Sequence, residues 1–159
     1  MFRKMRRFKQ QLSVTETEEI LRNGTSGVLA VSGDDGYPYA VPISYVYTDG
    51  KIIFHGAKSG HKLDAIISEP KASFCVIDRD DIVPEKYTTY FRSAIVFGKI
   101  HIPEDDEEKR NAVDILARKY RPGFDEERRK EIEREFPGLC VFVLDVEHMS
   151  GKQAIELVQ

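Results

Sequence analysis

An Asp-Gly pair at positions 49 and 50 constrains the fold more than any other feature of the sequence. Both residues tolerate the positive φ angles of a two-residue hairpin turn, and runs rich in β-branched and aromatic residues stand on either side, at 37–47 and 51–56. The two runs must then pair antiparallel. We therefore predict a β-hairpin in the first half of the chain.

Four more β-rich runs extend the predicted sheet. They span 27–31, 72–77, 87–102 and 139–146. Pro38 and Pro42 interrupt the run at 37–47, and because proline cannot donate to a ladder, we predict an edge or bulge there. Helical patterns are too few to separate every pair of strands, as a parallel sheet would require. We predict an α+β fold, an antiparallel β-barrel with helices over its openings.

Three segments have helical signals. The sequence Ser-Val-Thr-Glu at 13–16 has the form of a capping box, which predicts a helix that ends at about Arg22. Apolar residues at 63–67 have helical spacing and predict a short second helix. The charged segment 104–136 keeps one apolar stripe, formed by Val113, Leu116, Ala117 and Tyr120, so we predict a solvated helical pair packed on the barrel.

Length and charge limit what the chain can be. Its 159 residues are enough for one core, so we predict a single domain over 1–159. With 24 basic and 27 acidic residues the net charge is −3, which disfavours a nucleic-acid partner. No apolar run approaches the ~20 residues that cross a bilayer. We expect no membrane association and a cytoplasmic protein.

The first 12 residues form a basic arm that carries five lysine and arginine residues. No apolar run of about seven residues follows it, so we predict that it is not a signal peptide. Such an arm can bind anionic lipid or RNA, but a charged chain end is more often solvated. We favour a solvated arm.

The sequence contains no strong catalytic or metal-binding motif. A phosphate-cradling loop that ends in Gly-Lys-Ser/Thr, a dinucleotide fingerprint and a nucleophile elbow are all missing. Cys75 and Cys140 lie far apart in apolar runs, and we predict buried thiols rather than a metal site. We expect no bound metal.

The Ser-Gly-His-Lys segment at 59–62 opens the second predicted helix. Free N–H groups in the first helical turn, a small glycine, a hydroxyl, an imidazole and an ammonium together suit a phosphate. The structural alternative is that Ser59 caps the helix while Lys62 is solvated. Spacing alone favours that alternative.

Two further features have two interpretations each. His55 ends a strand, where a histidine is more often half-buried than a ligand, and it forms a poor metal pair with His61 because no further ligand is near. Four tyrosines could stack on a planar ligand or fill an ordinary strand. They are Tyr37, Tyr39, Tyr45 and Tyr47.

A collinear set of short motifs resembles a known family. The motifs lie at 39–46, 53–57, 60–62, 87–93, 98–99 and 150–152. Together they are similar to the pyridoxamine 5′-phosphate oxidase-like flavoproteins, and more closely to the nitroimidazole-resistance (Nim) branch. The resemblance implies a split β-barrel homodimer that binds FMN in a groove at the subunit interface and reduces nitro groups of small molecules.

The resemblance also implies which residues bind the cofactor. Residues 42–45 would face the flavin ring, 55–56 the ribityl chain and 59–62 the phosphate, while 92–93 would reach the cofactor from the same or from the other subunit. The implied set is Pro42, Ile43, Ser44, Tyr45, His55, Gly56, Ser59, Gly60, His61, Lys62, Arg92 and Ser93.

The chain departs from the true oxidase in two ways. The oxidase holds its phosphate with an Arg-Lys pair where this chain has His61 and Lys62, and 148–159 offers no counterpart of its C-terminal arginine and histidine. We therefore expect a flavin-dependent reductase that does not oxidise vitamin B6 and needs no acid or base side chain. The alternatives are a flavin- or haem-binding carrier or sensor, with His55 near a haem iron, and an oligonucleotide-binding barrel, which the net charge disfavours.

Overall fold

A computed structural model describes all 159 residues, which form seven strands and four α-helices. The strands are β1 Ser26–Ser32, β2 Pro38–Ser44, β3 Val46–Thr48, β4 Lys51–Ala57, β5 Lys71–Val83, β6 Thr88–His101 and β7 Leu139–Gln153. The helices are α1 Val14–Asn23, α2 His61–Ser68, α3 Asp106–Tyr120 and α4 Asp125–Glu135. None of the four helices combines the length and the apolar composition of a membrane-spanning helix.

The strands pair antiparallel in one sheet, in the order β2-β1-β5-β6-β7-β4-β3. Its two edge strands, β2 and β3, are neighbours in sequence with only Tyr45 between them. The chain therefore passes from one edge of the sheet to the other within one residue, and the sheet must curl until its edges meet. No ladder closes this junction. The predicted α+β fold, an antiparallel split barrel with flanking helices, is confirmed.

Local signals in the sequence are confirmed where they were strongest. Asp49 and Gly50 have φ angles of 46° and 71°, as the predicted hairpin turn requires. The side chain of Ser13 accepts from the backbone N–H of Glu16, and the carboxylate of Glu16 accepts from the N–H of Ser13 at 2.8 Å, which completes the capping box. Both interrupting prolines lie on an edge strand.

Three elements differ from their predictions. β5 was predicted to end at Ile77 but continues to Val83, where it pairs with the start of β6 in an exposed hairpin. β7 also continues, past the predicted end at Val146, to Gln153. The N-cap of α2 is Gly60 rather than Ser59, and no side chain caps that helix.

The N-terminal arm is only partly solvated. Its basic side chains are exposed, but the Phe2 ring stacks on the ring of His148 with centroids 4.8 Å apart. The N–H of Leu12 donates to the carbonyl of Gly151, and the Leu12 side chain is buried. The arm therefore lies against β7.

The hydrophobic core has two parts. The larger part fills the barrel, with the rings of Phe54, Phe74 and Phe142 fully buried. The smaller part lies on the outer side of β4 and β7, where α3 buries Val113 and Leu116. This second part attaches the helical pair to the barrel, as the stripe in 104–136 predicts.

Ion pairs add to the attachment of the helical pair. The buried guanidinium of Arg128 on α4 donates to Asp114 on α3 at 2.9 Å and to Asp125 at 2.6 Å. His101, at the end of β6, lies between two carboxylates, with Nδ1 2.5 Å from Asp145 and Nε2 2.8 Å from Glu108 on α3. Ionised carboxylates only accept hydrogen bonds, so the doubly protonated imidazolium fits both contacts.

The contact between His101 and Glu108 makes stability depend on pH. Burial lowers the pKa of His101, but the hydrogen bonds and charges of Glu108 and Asp145 outweigh it and raise that pKa above its usual value. The stabilisation is fully present below the unfolded pKa of about 6.5 and is lost as the pH rises through the folded value. We expect Glu108→Gln to lower the melting temperature at about pH 6 and to have little effect at about pH 9.

Glu107→Gln is the matched control, because Glu107 lies in the same helical turn but not against His101. Thermal unfolding monitored by circular dichroism at both pH values measures the difference. An equal loss at both pH values in Glu108→Gln would contradict the role of His101.

Candidate functional site

A cavity of about 440 Å³ lies between the barrel and the helical pair. Ser44 of β2, His55 of β4 and Leu139 of β7 form its floor on the barrel side. The helical wall consists of Val113, Leu116, Ala117, Tyr120, Glu131, Ile132 and Glu135. Its size and mostly apolar lining are typical of small-molecule sites.

The floor of this cavity is the place where the barrel is open. β3 pairs with β4 in a register that places Val46 opposite Ile53, and continuing this register would place Ser44 opposite His55. β2, which ends just before Tyr45, pairs with β1 instead of with β4. We call the resulting gap between β2 and β4 the seam.

The edge of β2 along the seam has two free N–H donors. The N–H of Gly33 donates to the carbonyl of Tyr37, so the alternation of an antiparallel ladder directs the odd-numbered residues of β2 toward β1. The even-numbered residues then face the seam. Two of these are prolines, and the remaining donors are Ala40 and Ser44.

The opposite edge of the seam has donors too. The N–H of Val146 donates to the carbonyl of Gly50, which directs the even-numbered residues of β4 toward β7. The backbone groups of His55 and Ala57 therefore face the seam beyond the end of β3. A planar polar ligand in the seam would find N–H donors on both sides.

Tyr120 of α3 is wedged at the point where the seam begins. Continuing the register of β1 and β2 would pair Tyr45 with Thr25. The Tyr120 hydroxyl lies between them: it accepts the N–H of Tyr45 at 2.9 Å and is 2.6 Å from the carbonyl of Thr25. The Lys119 ammonium donates to the carbonyl of Tyr45 at 3.0 Å and also to Gly24. These two side chains satisfy backbone groups that the missing ladder leaves free.

The predicted phosphate segment lies near the seam at the end of β4. Gly60 has a φ of +124°, and the first turn of α2 has no side-chain cap, so its N–H groups are free. The Lys62 ammonium lies over Gly56, where a Cβ would be 3.0 Å from Nζ. Ser59 and Gly60 are exposed at the preceding turn.

His61 contacts the other side of the seam. Its ring stacks on Tyr39 of β2 with centroids 4.1 Å apart, and Nε2 is 3.8 Å from the carboxylate of Asp34. His61 therefore bridges α2 and β2. Lys62 is the cation of this segment without a carboxylate partner.

His55 presents its imidazole to the cavity. Partial burial, together with the positive charge of Lys62, lowers the pKa of His55 below its ordinary value. The ring is therefore neutral at pH 7. A neutral imidazole can accept a hydrogen bond or coordinate a metal ion such as haem iron.

The structure separates the predicted ring-facing residues into two groups. Pro42 and Ser44 are exposed on the outer side of β2. Ile43 and Tyr45 point into the barrel and are 9% and 0% exposed, so their side chains do not line the cavity. Their backbone groups do not face the seam either, because those of Ile43 are directed toward β1 and those of Tyr45 contact Tyr120.

Arg92 and Ser93 lie far from this cavity in the same chain. Arg92 is opposite Gln153, at the other end of β7 from Cys140, which is opposite Gly56. The Arg92 guanidinium lies 3.4 Å from Asp78. Within one chain, 92–93 therefore do not reach the cavity.

Part of the outer face of the sheet is uncharged. One row across five strands contains no charged side chain and consists of Pro42, Val28, Cys75, Ile95 and Ser150. Val28 and Ile95 are 38% and 40% exposed. Cys75 lies in this row and is only partly buried, unlike the prediction, whereas Cys140 is buried as predicted.

No group of three or more histidine, cysteine or acidic side chains is arranged to hold a metal ion. Lys119 and Tyr120 were not predicted as parts of the site. Tyr120 was recognised only as a member of the apolar stripe, because the backbone partners of its hydroxyl lie far away in sequence.

An antiparallel barrel that is open along one seam, with a cavity over that seam, is a split barrel. Residues 13–153 match the family model described as pyridoxamine 5′-phosphate oxidase. The chain therefore belongs to this family. No curated protein sequence matches it.

Several solved structures share the fold. A Bacteroides thetaiotaomicron protein whose name assigns it to 5-nitroimidazole antibiotic resistance is 23% identical, with a TM-score of 0.73 over 90% of this chain and 86% of that one. The FAD and heme binding protein of Mycobacterium smegmatis is 23% identical, with a TM-score of 0.76 over 92% and 74%. An FAD-binding protein of Mesorhizobium loti is 22% identical, with a TM-score of 0.66 over 91% and 97%.

The hydrogen bonds of the Tyr120 hydroxyl to the backbone of Tyr45 and Thr25 lead to a prediction about stability. Tyr120→Phe removes the hydroxyl that bridges Tyr45 and Thr25 and leaves backbone groups without partners. We expect the free energy of unfolding to fall by about 1–3 kcal/mol, as measured by urea denaturation. Tyr37→Phe is the control, because Tyr37 is 75% exposed. Equal stability of the two variants would show that the bridge contributes nothing.

Proposed function

We propose that this protein binds FMN in the seam cavity and uses it to reduce small molecules, in the manner of the nitroimidazole-resistance branch. The observation that carries the proposal is the seam itself. It has free backbone donors on β2 and β4, an apolar wall from α3, and the unpaired ammonium of Lys62 at one end. Two of the similar structures are named as FAD-binding, which supports a flavin as the ligand class.

The residues present fit the two ends of a flavin nucleotide. A phosphate needs cations and N–H donors, which Lys62 and the uncapped first turn of α2 offer. The ring needs an apolar slot and donors for the negative charge that it gains on reduction. The N–H groups of Ser44 and His55 face the region where that ring would lie.

When bound, FMN supplies the electron transfer, and the chain's own residues do the rest. Lys62 fixes the phosphate end. Val113 and Leu116 exclude water from the ring, and the backbone donors of the seam orient it. No side chain of the site is required as a general acid or base in this scheme.

We also propose that the protein is a homodimer joined through the outer face of the sheet. The uncharged row of Pro42, Val28, Cys75, Ile95 and Ser150 is the kind of surface that a second copy covers. This arrangement would also explain how Ser93, which lies on the same outer face, reaches a cofactor held by the other copy.

A carrier or sensor that binds haem is the second candidate. It is favoured by one observation, the neutral imidazole of His55 at the cavity floor. Mixing the protein with hemin and with FMN separates the candidates: a Soret band that His55→Ala abolishes indicates haem, whereas a flavin band near about 450 nm indicates FMN.

The FMN proposal predicts a specific loss of affinity. We expect Lys62→Ala to weaken FMN binding by about 1.5–3 kcal/mol, the contribution of a charge-assisted hydrogen bond. Quenching of flavin fluorescence on titration measures the dissociation constant. Lys51→Ala is the matched control, because Lys51 is an exposed lysine at the other end of β4. An unchanged constant in Lys62→Ala would reject the assigned phosphate site.

The dimer proposal predicts a change in mass. We expect Ile95→Glu to convert a dimer at micromolar concentration into a monomer, because it places a charge in the centre of the outer face. Val14→Glu is the control, since Val14 is 67% exposed on α1, outside that face. Light scattering after size-exclusion chromatography measures the mass. A wild-type monomer that binds FMN tightly would contradict the proposal.

A further inference from the structure

The charged side chains that line the seam cavity are both acidic. Of its 10 lining residues only Glu131 and Glu135 carry a charge at pH 7, because the imidazole of His55 is neutral there. No lysine or arginine lines the cavity. The lining therefore brings negative charge, and no positive charge, to a molecule that enters it.

The helical period of α4 places both carboxylates on the cavity. Residues four positions apart lie on one face of a helix, so Glu131 and Glu135 project from the same side of α4. Ile132 lines the cavity beside them and packs against the smaller part of the core. This apolar contact fixes which face of α4 borders the cavity.

One guanidinium is shared by the two carboxylates. Arg134 donates through Nε to Glu135 at 3.1 Å and through a terminal nitrogen to Glu131. Arg134 itself does not line the cavity. Two negative charges and one positive charge leave one net negative charge on this part of the wall.

The carboxylates lie where the cavity meets water, since the side chains of Glu131 and Glu135 are 57% and 58% exposed. The wall formed by α3 is apolar by contrast, with Val113 and Leu116. Lys62 lies over β4 and acts on His55 from the barrel side. The charge around the cavity thus changes sign between the barrel and α4.

We propose that the substrate of this cavity is an aromatic compound that carries a protonated amine, and that Glu131 and Glu135 select it over anionic analogues. The inference rests on the proposed function, because it names the substrate class of the same site. An aromatic ring suits the apolar wall of α3, and an ammonium group suits the carboxylates of α4. A carboxylate on the substrate would be repelled there.

Three nitroaromatic probes of similar shape test this selection. At pH 7, 4-nitrobenzylamine is a cation, 4-nitrobenzyl alcohol is neutral and 4-nitrobenzoate is an anion. Isothermal titration calorimetry measures their dissociation constants before and after the protein is loaded with FMN. We expect the amine to bind about three- to tenfold more tightly than the benzoate, as two exposed charge interactions allow. Salt at about 0.5 M should reduce the difference to less than about twofold.

Variants of α4 test which residues cause the preference. Glu131→Gln combined with Glu135→Gln should bring the constants of the amine and the benzoate within about twofold of each other. Arg134→Gln should strengthen binding of the amine, because it removes the cation that competes for both carboxylates. A merely structural role of these residues would not produce that gain.

The matched control combines Glu126→Gln with Glu127→Gln, which removes the same charge from α4 outside the cavity. Thermal unfolding verifies that each variant is folded. If FMN does not bind but the preference for the amine still depends on the cavity carboxylates, the flavin function fails while the selection stands. If FMN binds and the amine and the benzoate bind equally, the selection is overturned while the flavin function stands. An equal effect of the control, or no binding of any probe, also overturns the selection.

Discussion

The passage of the chain from one sheet edge to the other through Tyr45 determines most of this structure. At that residue the backbone leaves one ladder and enters another, so its N–H and carbonyl lose their regular partners. Unpaired buried backbone groups cost free energy. Lys119 and Tyr120 supply the partners from α3, and the charged helical pair is thereby joined to the barrel at the junction that most needs it.

The site follows from the same junction. Because β2 pairs with β1 and not with β4, each of these two strands keeps one unpaired edge beyond Tyr45. The two edges face a common gap. The apolar stripe of α3 covers that gap and converts it into a cavity, while α2 begins at its far end with free N–H groups and Lys62. The barrel would close over this space if Ser44 paired with His55 as the register of β3 and β4 implies.

Local signals were predictable from the sequence, and long-range ones were not. The turn at Asp49 and the cap at Ser13 depend on residues a few positions apart. The second half of β5 was not predicted, because 78–81 is charged on both faces and becomes a strand only by pairing with β6. The family resemblance named Ser44 and His55, which line one cavity, and Lys62, which lies over Gly56, but their role in cofactor binding stays a prediction. The donors of the seam depend on the strand order, which no spacing reveals. The subunit arrangement and cellular location stay predictions.

The two prolines of β2 determine what can bind to the open edge of this strand. An exposed edge strand normally invites a strand from another molecule, and the chain that accepts it begins to aggregate. Pro38 and Pro42 remove every second donor from this edge and leave only those of Ala40 and Ser44. A strand from another molecule would find too few N–H donors to form a ladder with this edge. A flat, compact molecule needs no more than one or two such donors. The edge can therefore stay open for a small ligand without promoting aggregation by strand pairing.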